Sequence, residues 1–132
     1  MLILKTDEAV EQVVLTLMKY IEINNMRIVS HINGQQNAAR MGKTVPADQI
    51  LEVFRPDFAI KVWNACKPAG IHIPLRIHVY AEGGSSVVQY QQAQDIFSVY
   101  NNAALTEIAK ELDALFEKIL VQAFPQKSTE IL

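Results

Sequence analysis

The sequence holds a single cysteine, Cys66, so no disulfide forms within the chain. That is the usage expected of a reducing compartment. Long apolar runs are missing as well. Runs such as Val13-Val14-Leu15, which stops at Thr16, fall far short of the roughly twenty apolar residues a membrane span needs. The opening Met-Leu-Ile-Leu-Lys-Thr-Asp-Glu lacks the basic start, apolar stretch and small-residue cleavage site of a secretory leader. The expected location is therefore the cytoplasm, with no membrane partner. An excess of one charge is lacking too: 12 basic side chains face 14 acidic ones, for a formal net charge of −2. The densest basic stretch, 27–43, spreads Arg27, Arg40 and Lys43 over different elements. Phosphate backbones reward clustered Lys and Arg, so nucleic acid is not an expected partner. Five Gly and five Pro exclude a collagen-like or low-complexity chain. Glycine-rich phosphate loops, C-x-x-C, H-E-x-x-H and G-x-S-x-G are all absent.

What is present is the composition of a folded domain. Half of the 132 residues are hydrophobic and 20% are charged, enough to bury a core without metal or disulfide staples. The expected organisation is one domain over 1–124 and a flexible tail over 125–132. An edge strand is expected over 2–5, followed by an N-cap at Thr6 or Asp7. Val10, Val13, Val14, Leu17, Met18 and Ile21 follow at helical spacing. Residues 26–32 alternate as a strand, with Ile28, Ser30 and Ile32 on one face and Arg27, Val29 and His31 on the other. Asn33-Gly34 marks a turn into a short helix over 35–41 that Gly42 ends. A loop over 46–49, a strand over 50–55 and a helix over 58–67 come next.

Residues 71–80 read as the clearest strand. Ile71, Ile73, Leu75, Ile77 and Val79 share one face; His72, Pro74, Arg76, His78 and Tyr80 share the other. Gly83-Gly84 turns the chain into a partner strand over 86–90. A short helix or ordered loop is expected over 91–99. Asn101 or Asn102 caps a last helix with the stripe Leu105, Ile108, Leu112, Leu115, Phe116 and Ile119. A hairpin beside helical crossovers predicts an α+β fold: a mixed sheet with helices on one side and one face uncovered.

The polar stripe on the strand over 71–80 is the most suggestive constellation. A half-covered sheet shows such residues to water, a ligand or another subunit. His72 and His78, six apart, would lie roughly 20 Å from each other on one strand, too far to chelate one metal. Any metal site would need His31 or another strand's ligand. Arg55 precedes a helix N-terminus and can hold an anion there, or simply pair with Asp57. Trp63 and Cys66, three apart on one helix, are expected to pack against the sheet.

The chain resembles the bacterial and archaeal domain-of-unknown-function family 302. The likeness runs from about Thr6 to Phe124. It is carried by Ile32-Asn33-Gly34, Asn37-Ala38, Gly42, Pro56 and Ile73-Pro74-Leu75-Arg76-Ile77 with Tyr80, in that order and spacing. The resemblance implies a TATA-binding-protein-like topology, a curved antiparallel sheet backed by helices, without implying DNA binding. The family's Asp-His pair falls here on Asn33-Gly34, and its Gly-Asn before a proline falls on Phe54-Arg55. Those replacements remove a general base and a metal ligand from that corner.

The functional expectation is a non-catalytic small-ligand-binding or self-associating module, most readily a homodimer. Dimerisation would cover the open sheet face or the Gly83-Gly84 hairpin. His31, Arg55, Arg76, His78 and Tyr80 are its candidate ligand-binding residues, and no cofactor is specified. Two rivals stand beside it. One is an enzyme or carrier for a small anionic or sulfur-containing molecule, using Arg55, Cys66 and His31. The other is a metal or haem carrier using His31 and His78. Convergence of His31, Arg55 and His78 in one cleft would favour ligand chemistry; their dispersal would favour interaction.

Overall fold

The structure, a computed structural model, describes residues 1–127 and 129–131. Its strands are β1 (Leu2–Thr6), β2 (Arg27–Asn33), β3 (Asp48–Phe54), β4 (Leu75–Glu82), β5 (Ser85–Tyr90) and β6 (Glu130–Ile131). Its α-helices are α1 (Val10–Ile23), α2 (Gly34–Arg40), α3 (Pro56–Ala65), α4 (Ala93–Phe97) and α5 (Ala103–Ala123). The strands form one sheet in the order β2-β3-β4-β5-β1-β6. Every neighbouring pair is antiparallel, so the sheet is not mixed. The reason lies in the connections. Adjacent β3 and β4 are joined by α3 and a 3-10 turn over Lys67–His72. That excursion leaves and re-enters the sheet at the same end.

Within the segment 125–132, Glu130–Ile131 pairs with Leu2 and Ile3 of β1. The expectations for Ser128 and Leu132 fall outside the described residues.

The helices form where apolar spacing predicts. Val10, Val13, Val14, Leu17 and Ile21 of α1 are buried. So are Leu105, Ile108, Leu112, Phe116 and Ile119 of α5. They meet Leu51 and Val53 of β3, Leu75, Ile77 and Val79 of β4, Val88 and Tyr90 of β5, and Leu2 and Leu4 of β1. The start of α1 differs from expectation. Ala9 precedes the helix without a side-chain cap. Thr6 instead ends β1, and its hydroxyl accepts a hydrogen bond from the Glu8 amide at 3.3 Å. Asn33 and Asn102 do cap their helices, accepting from the amides of Gln36 and Leu105. Gly83 and Gly84 both have positive φ, 55° and 85°, the backbone that a two-residue hairpin turn requires.

Two strand readings are corrected. The chain reads as a continuous strand over 71–80, yet β4 begins only at Leu75. His72 belongs to the 3-10 turn, and the Ile73–Pro74 peptide bond is cis. Ile71 is therefore 82% exposed instead of core. Alternation alone does not reveal that Pro74, which lacks an N–H, stands before the ladder begins.

The second correction concerns β2. Its register shifts between Ile28 and Ser30, with Val29 as the extra residue. A bulge of this kind reverses which side chains face the core. Ile28 and His31 consequently pair with Val53 and Leu51 on the helix-covered side, while Ser30 and Ile32 pair with Glu52 and Ile50 on the other.

Polar anchoring completes the frame. Asp113 on α5 is 5% exposed. It accepts hydrogen bonds from the Tyr90 hydroxyl at 2.6 Å, the Ala93 amide at 2.6 Å, and the Gln94 amide and side chain at 3.0 and 2.9 Å. It thereby ties α5 to the end of β5 and to the first turn of α4. Tyr90 stacks on Phe116 with ring centroids 4.3 Å apart. Burial, then the adjacent Asp113 charge, pushes the Tyr90 phenol far above its usual range.

Candidate functional site

Among the described residues, no helix adds a core side chain to the second face of the sheet. Registers define that open face. Asp48, Ile50 and Glu52 of β3 stand beside Tyr80, His78 and Arg76 of β4. Gln89 and Val87 of β5 stand beside His78 and Tyr80, and Ile3 of β1 stands beside Gln89. Ile3, Ile50, Phe54 and Tyr80 lie outside the helix-covered core, while Val87 between them is buried.

The polar groups on this face partner one another. His78 Nε2 lies 3.0 Å from both carboxylate oxygens of Asp48. The Gln89 side-chain amide donates to His78 Nδ1 at 2.8 Å. With Nδ1 accepting, the ring proton sits on Nε2 and points at Asp48. Neither ring nitrogen keeps a lone pair for a metal or for a substrate's proton. Tyr80 stacks on the same ring, with centroids 5.0 Å apart and planes 28° from parallel. One register step along, Arg76 Nε lies 3.4 Å from Glu52 Oε2. The face therefore carries two acids on β3, Asp48 and Glu52, beside the His78 ring and the Arg76 cation on β4, already paired.

The structure brings together three of the five candidate residues: Arg76, His78 and Tyr80. His31 sits across the sheet, on the helix side, with Nε2 2.6 Å from Gln49 Oε1. It cannot join His78 on a metal through one face. Arg55 stands at the start of α3. It donates to Asp57 Oδ1 at 2.7 Å and lies over the Phe58 ring, 4.3 Å from its centroid. That hydrogen bond holds the Asp57 carboxyl below the usual range. The surface-contact reading of Arg55 thus describes its place.

His72, removed from the stripe, bonds the Tyr100 hydroxyl at 2.9 Å. Cys66 is half-buried against the core. Trp63 lies by the 3-10 turn, where a Cβ at Gly70 would come within 3.1 Å of its indole. Among the described residues, no group of three or more His, Cys, Asp or Glu is placed to hold a metal.

The model of a domain of unknown function, DUF302, matches residues 3–123. The chain belongs to the DUF302 family. A crystal structure of an uncharacterised conserved DUF302 protein from Bacillus stearothermophilus superposes on this DUF302 domain with a TM-score of 0.84 at 19% identity. The match covers 92% of this chain and 95% of that one, and it establishes a shared fold. No curated protein matches this DUF302 domain.

Sequence reasoning missed Asp48, Glu52 and Gln89. Asp48 falls in the stretch read as a loop. A strand begun two residues earlier would have aligned Asp48, Ile50 and Glu52 by alternation. The corner where the family's Asp-His pair falls also adjoins this cluster. A Cβ on Gly34 would lie 3.3 Å from the Asp48 carbonyl oxygen, so glycine lets β3 approach there.

A cleft of about 520 Å³ opens at the Glu52–Arg76 end of the face. Its other walls come from the short helical segments, through Ile71, Asp95, Ile96 and Val99.

Proposed function

We propose that this DUF302 domain is a non-catalytic interaction module that associates with a second copy of itself through the open face of its sheet. One observation carries the reading. The charged side chains on that face are paired with one another, and Ile3, Ile50, Phe54 and Tyr80 lie among and beside them outside the core. A face with its charges already paired can be covered without leaving a buried charge alone. Aromatic and arginine side chains also suit interface centres. Dispersal of His31, Arg55 and His78 supports interaction over chemistry.

Five strands at about 4.8 Å spacing and six residues at about 3.3 Å give a face of roughly 20 Å by 20 Å. That is a small interface, so the expected dissociation constant is micromolar. The Glu52–Arg76 cleft supports a second reading, a small anionic ligand. Its volume falls in the range of small-molecule sites. Among the described residues, the terminal guanidinium nitrogens of Arg76 also have no hydrogen-bond partner.

Native mass spectrometry of untagged protein tests both. A dimer of bare chains is the expected result. A monomer carrying a small extra mass would replace the first reading with the second. A bare monomer at about 100 µM, well above the expected constant, would overturn self-association.

A further inference from the structure

We infer that the two copies pair about a two-fold axis parallel to β3 and β4 and lying between them. This rests on the self-association proposed above and adds its geometry. A closed pair of identical chains is isologous, so the same patch must complement itself. Two sheets packed face to face with aligned strands allow two limiting two-fold axes in the plane of contact. One runs along the strands and the other runs across them.

The charge columns decide between the axes. Asp48 and Glu52 lie on β3; Arg76 and His78 lie on β4; Glu52 is level with Arg76, and Asp48 with Tyr80. An axis along the strands exchanges the columns and preserves the levels. Each Arg76 then faces the partner's Glu52, each Tyr80 faces the partner's Asp48, and each His78 meets the partner's Ile50. An axis across the strands preserves the columns and exchanges the levels. Asp48 would then face the partner's Glu52, acid against acid, twice per dimer, and like charges opposed in an interface are costly.

The internal pair leaves the needed groups available. Arg76 meets Glu52 through Nε at 3.4 Å, so its terminal fork can turn to a second carboxylate. The arginine side chain is 61% exposed and the glutamate 18%. The one projects from the face and the other forms its floor.

Charge exchange tests the geometry. Glu52→Arg and Arg76→Glu each place like charges across the interface at two symmetric positions. Each variant alone should self-associate at least about tenfold more weakly than the parent by sedimentation equilibrium. Mixed in equal amounts they should form heterodimers within about threefold of parental affinity, because every cross-interface contact is again Arg to Glu. Within each variant chain positions 52 and 76 still carry like charges, so this rescue can only come from the partner. The neutral pair Glu52→Gln and Arg76→Gln should weaken association less and show no rescue on mixing, and circular dichroism checks that all four fold. A parent that dimerises while the charged variants show no preference for each other would overturn this axis and leave self-association standing. A parent that stays monomeric would overturn both.

Discussion

Asp113 and Tyr90 illustrate how much one buried pair of residues decides. The carboxylate accepts four hydrogen bonds from β5 and α4, and its Tyr90 partner is buried beneath α5. Because burial and the Asp113 charge raise the folded-state value of the Tyr90 phenol, the sign of its pH effect is fixed. Its contribution is fully present below the unfolded phenol value of about 10 and declines as pH rises above it, since only the unfolded chain can then ionise. Tyr90→Phe should cost about 1 kcal/mol at neutral pH through the lost hydrogen bond. It should also flatten the fall in stability above pH ~10 relative to the parent. Urea unfolding at neutral and alkaline pH reads both effects. Equal alkaline slopes would contradict the assignment. Neither residue was legible as a pair in the sequence. Tyr90 reads as the end of a strand, nothing in the helical pattern singles out Asp113, and only the fold sets them 2.6 Å apart. His31 was misplaced for a related reason, since a single bulged residue at Val29 moved it to the opposite face.

Elements with strong periodicity were read correctly, and elements governed by their ends were not. The buried stripes of α1 and α5 follow directly from i, i+3, i+4 spacing. Asn102 caps α5 as its residue type and position suggest, and its amide also donates to the Ala65 carbonyl at 2.9 Å. Asn102→Ala should therefore lower stability by about 1–2 kcal/mol, the upper part of the range for a lost cap. Thermal unfolding checks it, and an unchanged midpoint would deny the cap its role. The alternation starts β4 four residues early, because Ile71 and Ile73 continue it although the ladder begins only past Pro74, and stops two residues short of Glu82. The sequence pattern starts β3 two residues late, at Ile50, and so hides Asp48, the carboxylate that fixes the His78 ring.

At the scale of the whole molecule, the described residues form one antiparallel sheet with the core-forming helices on one face and a surface of mixed polar and apolar side chains on the other. The α+β class and the one-sided covering were legible in the order of patterns. The wholly antiparallel sheet required knowing where each crossover re-enters. The family match and the shared fold place this architecture among DUF302 proteins. The proposed activity belongs to the open face, and Ile50 lies near its middle, level with His78. Sedimentation velocity of the parent and Ile50→Asp, over about 1–200 µM to span a micromolar constant, reads self-association through this face. A concentration-dependent monomer–dimer equilibrium is expected for the parent, and a folded monomer throughout for Ile50→Asp. A parent that sediments as a monomer at every concentration, or an Ile50→Asp variant that dimerises as well as the parent, would contradict association through this face.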